Sequence, residues 1–206
     1  EKRNPADEMF KTICAIRAAV NAAEGTEKGL VAGVPCNTFH APKVWDRFVE
    51  LIEKEKLNVE LVHMLRETAD FVKANFPGIK KIGLMSTTGT RQVGVYREIF
   101  EPLGFEIVEV PGENQDELHD TIYNPEFGIK AKSSPVTAKA RANFDRYAAI
   151  LKSAGAEAII LGCTEIPLAL PEKSLDETPL IDPMLALARA LVHEANREKL
   201  IPLLAE

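Results

Sequence analysis

Short apolar runs at 30–34, 59–64, 81–85, 105–110 and 158–161 alternate along this chain with longer stretches whose apolar residues recur at helical spacing. Brief runs with few polar positions suit strands buried on both faces, and the stretches between them are long enough to carry the chain back across a sheet. That alternation predicts an α/β fold with a mostly parallel sheet covered by helices, and it places any ligand at the carboxyl ends of the strands. Helices are expected over 7–23, from Pro42 through Ile52, over 67–76, 89–103, 114–130 with a break at Asn124-Pro125, 138–154 and 184–194, and a further strand near Leu180. Pro77-Gly78 and Gly155 mark turns, and Asp182-Pro183 reads as a helix cap.

The chain has 206 residues, 46% of them hydrophobic, enough for one large domain or two small lobes. A net charge of -6 without a clustered Lys/Arg stripe argues against a nucleic-acid partner. Uncharged apolar runs such as 158–163 fall far short of the roughly 20 residues of a membrane span. Three widely spaced cysteines suit neither a disulfide framework nor a metal site, so a cytoplasmic protein with no metal is expected. The sequence starts at Glu1 without Met and reaches a helical pattern with no strand before it. The expected division is therefore a first α/β lobe over 1–65, lacking its N-terminal strand and completed by 183–206, and a second lobe over 66–182.

Two of the cysteines end apolar runs. Cys36 lies in Val34-Pro35-Cys36-Asn37-Thr38 and Cys163 in Leu161-Gly162-Cys163-Thr164-Glu165, each on a strand-to-helix turn. A helix start favours a thiolate and binds anions, so both turns could hold a nucleophilic or basic sulfur beside a substrate carboxylate held by Asn37, Thr38 and Thr164. Free cysteine is equally at home as a small core residue, and the residues alone leave both readings open. Cys14, between Ile13 and Ile16 on the apolar stripe of the first helix, reads as core. Thr87-Thr88-Gly89-Thr90 is either a polar cap or a carboxylate-binding turn. His40 could bond within its turn or assist Cys36, His63 could lie near a cleft, and His119 and His193 read as surface positions. Lys130 by itself reads as a solvated lysine.

Pro35-Cys36-Asn37-Thr38-Phe39-His40 and Gly162-Cys163-Thr164-Glu165-Ile166-Pro167 resemble the two signatures of the aspartate/glutamate racemase family. The segment 84–90 resembles that family's Gly/Thr-rich turn, and Gly128-Ile129-Lys130-Ala131 its Ile-Lys-Ala segment. The resemblance implies a racemase without a cofactor, built from two similar α/β lobes around a cleft and commonly dimeric. By the same match Cys36 and Cys163 would exchange the α-proton, and Asn37 and Thr38 would bind the α-carboxylate. Thr87, Thr88, Gly89 and Thr90 would line the pocket, Lys130 would reach the side-chain carboxylate, and Thr164 and Glu165 would orient the second thiol or the α-ammonium. Cell-wall glutamate racemases usually carry His where Glu165 stands, which points to aspartate, with glutamate as a further substrate. The family's Gly-rich first strand and a substrate-binding Arg of many aspartate racemases have no counterpart here. Alternatives are a thiol-dependent enzyme of the maleate isomerase or malonate decarboxylase type, or a dicarboxylate-binding homologue without turnover.

Overall fold

The computed structural model describes residues 4–25 and 29–203. Helix α1 (Pro5–Glu24) starts on Asn4, whose side chain accepts from the Ala6 N–H, and ends on Gly25 in the left-handed region. Strand β1 (Leu30–Gly33) pairs in parallel with β2 (Val59–Val62), Leu30 opposite Val59. Between them run a 3₁₀ turn (Asn37–His40) and α2 (Pro42–Lys54), whose Trp45, Phe48 and Ile52 close a small core with Ile13 and Val34.

The larger sheet has the order β4-β3-β5-β7-β6, with β3 (Lys81–Ser86) and β5 (Ala158–Gly162) at its centre, β4 (Glu106–Glu109) outside β3 and β7 (Thr178–Ile181) outside β5. The β4-β3-β5-β7 pairings are parallel, and the short β6 (Ser174–Leu175) returns antiparallel to β7. Side chains of β3 and β5 alternate between two cores, as a two-residue period demands. Met85, Ile159 and Leu161 pack with Leu118 and Ile122 of α6 (Gly112–Tyr123) and with Phe144 and Leu151 of α7 (Ala138–Ser153). Ile82, Leu84 and Ile160 pack on the other face with Leu65 and Val72 of α3 (Met64–Asn75), Tyr96 and Phe100 of α5 (Val95–Phe100), and Leu187 of α9 (Pro183–Asn196). Leu187 also presses on Gly33, where an added Cβ would come within 2.6 Å of its Cδ1. Helix α9 thus buttresses both sheets.

Three local features depart from the sequence reading. The helix expected over 89–103 is divided into α4 (Thr88–Val93) and α5 by Gly94, with φ 71°, and then tightens into a 3₁₀ turn. The helix expected over 114–130 breaks at Asn124-Pro125 as the sequence predicts, but it does not resume before 130, where the chain forms turns and the Asn124 side chain accepts from the Glu126 and Phe127 N–H groups. The β6–β7 hairpin was not anticipated. Its two-residue turn puts Asp176 and Glu177 at φ 47° and 54°, a conformation usually signalled by Asn-Gly.

Candidate active site

Both motif cysteines lie at the carboxyl end of a parallel strand, Cys36 three residues beyond β1 and Cys163 directly after β5. Cys36 is exposed, while Asn37 beside it is buried. The Asn37 side-chain oxygen accepts the Tyr96 hydroxyl at 2.5 Å, which leaves the amide nitrogen to donate elsewhere. His40 holds the same turn from beneath. Its Nε2 accepts the Met64 N–H at 3.1 Å, so the ring proton of the neutral imidazole sits on Nδ1 and is donated to the Cys36 carbonyl at 2.9 Å. The imidazole stacks on Trp45 with centroids 4.8 Å apart and meets the His63 ring at 4.5 Å. Burial lowers the His40 pKa to about 4 against the raising effect of its bond to Cys36, and burial, His40 and Arg66 lower His63 to about 3. His40 therefore shapes the Cys36 backbone and does not reach the thiol as a base. His63 is the N-cap of α3, accepting the Arg66 N–H.

The second turn is built differently. Gly162 must lack a side chain, since a Cβ there would come within 2.8 Å of the Met85 carbonyl oxygen and of Leu84. The next residue, Cys163, is buried, and its Sγ donates to Glu165 Oε2 at 3.0 Å, an oxygen that also accepts the Thr164 hydroxyl at 2.9 Å. Lys130 Nζ binds the other oxygen, Oε1. Burial, then the hydrogen bond to Glu165 and its charge, push the Cys163 pKa up to about 12. The helix start expected to favour a thiolate here is overridden, since α8 (Ile166–Ala169) is a single turn and the nearest full charge is a carboxylate. Burial raises the Glu165 pKa, but bonds from Lys130, Cys163 and Thr164 outweigh it and hold the carboxyl below its ordinary value.

A row of hydroxyls connects the Cys36 turn to the turn that follows β3. Thr38 Oγ1 lies 2.8 Å from Thr90 Oγ1, which lies 3.1 Å from Thr87 Oγ1, and Thr87 caps α4 through the Thr90 N–H. Thr87 and Thr90 are buried in this row, Thr88 is half-buried and Gly89 is exposed. Sequence reading passed over Gln115, which donates to the Ser86 carbonyl at 3.0 Å, and placed His119 on the surface, although its Nδ1 accepts the Thr88 N–H at 3.3 Å. Tyr96 was passed over as well. A Tyr one position into a helix carries no polar signature.

Residues 5–191 match the family model described as Asp/Glu/Hydantoin racemase. The chain belongs to this family. Its fold is that of the aspartate racemase of Picrophilus torridus, with a TM-score of 0.68 at 22% identity over 94% of this chain and 70% of that one. It is also that of an aspartate racemase homologue from Pyrococcus horikoshii, with a TM-score of 0.67 at 22% identity over 94% of this chain and 77% of that one. In sequence it is 26% identical over 120 residues, 58% of this chain and 74% of the other, to an uncharacterized protein encoded in the pnlA 3′ region of Pectobacterium carotovorum subsp. carotovorum.

Within this member of the family the two thiols are in unequal states. Cys163 is a buried, protonated acid tied to a carboxylate, whereas Cys36 is open to solvent. Lys130 is brought to Glu165 by a loop folded back on α6, its N–H donating to the Ile122 carbonyl at 3.0 Å. That fold needs Gly128, where a Cβ would come within 2.5 Å of the Asn124 backbone nitrogen. Gly128→Ala is expected to cost about 1–3 kcal/mol through this backbone clash, read as a lower urea midpoint, and to displace Lys130.

Proposed function

We propose that this protein interconverts L- and D-aspartate by two-base 1,1-proton transfer between Cys36 and Cys163, with no cofactor. The observation that carries the reading is the hydroxyl contact between Thr38, two residues after Cys36, and Thr90, in the polar turn beside the strand that ends at Cys163. It joins the mouths of two separate parallel sheets at the ends where ligands bind. In the forward step the Cys36 thiolate takes the α-proton: the C–H bond breaks, an S–H bond forms, and the electron pair passes into the carboxylate as a planar intermediate. The Cys163 S–H then breaks and its proton reaches the α-carbon on the opposite face, so the centre inverts. The opposite enantiomer runs the same steps with the cysteines exchanged.

The states of the two thiols suit this division. Cys163 starts with its proton, and Glu165 with Lys130 forms a charge pair that can follow the change as the sulfur ionises. In this reading Asn37, through its amide nitrogen, and Thr38 hold the α-carboxylate. Thr87, Thr88, Gly89 and Thr90 wall the pocket, and Lys130 takes the side-chain carboxylate. The protonated Cys163 also favours a second reading, decarboxylation of a malonate-type acid, which needs a proton donor on one face only.

The test is incubation with L-aspartate, and separately L-glutamate, in D2O. The expected result is loss of the α-proton NMR signal together with decay of the circular dichroism towards zero, faster for aspartate, with no loss of carbon dioxide. A folded protein that exchanges neither α-proton overturns the proposal.

A further inference from the structure

The last residue of α6, Tyr123, is an aromatic left 50% exposed beside the most charged part of the site. Its ring lies against His119, one turn earlier, with centroids 4.7 Å apart and planes 26° apart. His119 is fixed in turn by the Thr88 N–H, so the stack is anchored to the polar turn after β3. Lys130 Nζ stands 5.4 Å from the centroid of the Tyr123 ring, on the side that leads through Glu165 to Cys163. The ring therefore spans from the Thr87–Thr90 turn to the Lys130–Glu165–Cys163 chain. Among the described residues the Tyr123 hydroxyl makes no hydrogen bond, and nothing in the packing of α6 requires it. Burial raises its pKa, Lys130 opposes, and Cys163, Glu165 and Cys36 raise it further, so the phenol keeps its proton and is a donor at neutral pH. Both thiols thus lie within electrostatic reach of one unused hydroxyl.

We infer that Tyr123 is a substrate-contacting residue, whose hydroxyl joins Lys130 in holding the carboxylate at the far end of the substrate while its ring covers that side of the cleft. This rests on the racemase reading for the identity of the substrate, but the contact itself is with a dicarboxylate. Lys130 has three donors and keeps one or more for an incoming carboxylate beside Glu165. A neutral phenol adds a hydrogen bond to a charged acceptor without adding a second cation. It would separate a dicarboxylate from a substrate with a short apolar side chain, because only the former offers an acceptor there.

The experiment uses succinate as the probe and needs no turnover. Cys36 is exposed and open to alkylation, so the succinate concentration that halves the rate of its modification by iodoacetamide, followed by peptide mass spectrometry, reports occupancy of the cleft. Tyr123→Phe removes only an exposed, unbonded hydroxyl and is expected to keep the parent urea midpoint. The midpoint of protection by succinate should rise about 10- to 100-fold in Tyr123→Phe, the loss of one hydrogen bond to a charged group, while protection by propionate is unchanged. Equal succinate midpoints in parent and variant, an equal shift for propionate, or no protection of the parent would each overturn the inference. Failure of the racemase reading is a separate observation: parent protein protected by succinate, with the Tyr123 dependence intact, that leaves the α-proton of aspartate unexchanged in D2O.

Discussion

The Cys163→Ala protein should lose racemisation of aspartate by at least about 10³-fold and yet continue to exchange the α-proton of one enantiomer with solvent; Cys36→Ala should do the same for the other enantiomer. The expectation follows from having one acid-base group on each face of the α-carbon, each contributing within the range of general acid-base catalysis. With Cys163 gone, Cys36 can still remove a proton and return a deuteron to the face it came from, which exchanges without inverting. Both variants are expected to fold, since Cys36 is exposed and the Cys163 side chain is small, although Cys163→Ala also frees Glu165 of one donor. Deuterium incorporation by NMR and chirality by circular dichroism read the two events independently. Racemisation within tenfold of the parent rate in either variant would sink the two-base scheme. So would exchange of the same enantiomer by both.

The second large effect is on stability in mild acid. His40 and His63 are held neutral, with folded pKa values of about 4 and about 3 against an ordinary 6.5. As pH falls, the unfolded chain takes up these protons first. The stability tied to the two rings is therefore complete above about pH 6.5 and is lost as pH falls towards 4, at a rate set by about 1.4 kcal/mol per unit of pKa difference. By pH 4 the loss is about 3 kcal/mol from His40, and His63, buried against it, adds to that loss. Protonated His40 could no longer accept the Met64 N–H, so the turn carrying Cys36 loosens in the same range. Urea midpoints measured between pH 7 and 4 should fall steeply in the parent and less steeply in His63→Asn, which keeps a helix-capping side chain without the titration. Identical slopes in the two proteins, or a His40 imidazole that titrates near 6.5 by NMR, would refute this account.

Much of the fold was legible from local pattern. Apolar runs at 81–85 and 158–161 became the central strands because each is buried on both faces, and Pro42 and Asp182 delimit helices for reasons contained in one or two residues. What misled the reading was also local. Gly94 divides a helix whose apolar period runs on unbroken, and Asp176-Glu177 makes a left-handed turn without the residues that announce one. The motif residues were likewise legible, because their chemistry is written in their type and order.

By itself, then, the sequence determined the α/β alternation, the positions of Cys36 and Cys163 at strand ends, and the polar residues that accompany them. Tertiary structure alone decided how those residues are used. Thr38 meets Thr90, Asn37 meets Tyr96, and Lys130 meets Glu165 across 35 or more positions of chain. The state of each thiol is a tertiary property as well. Two cysteines in similar local sequences differ in setting: Cys36 is left exposed, whereas Cys163 is buried, and that burial, with the Glu165 carboxylate folded onto its sulfur, pushes its pKa up to about 12.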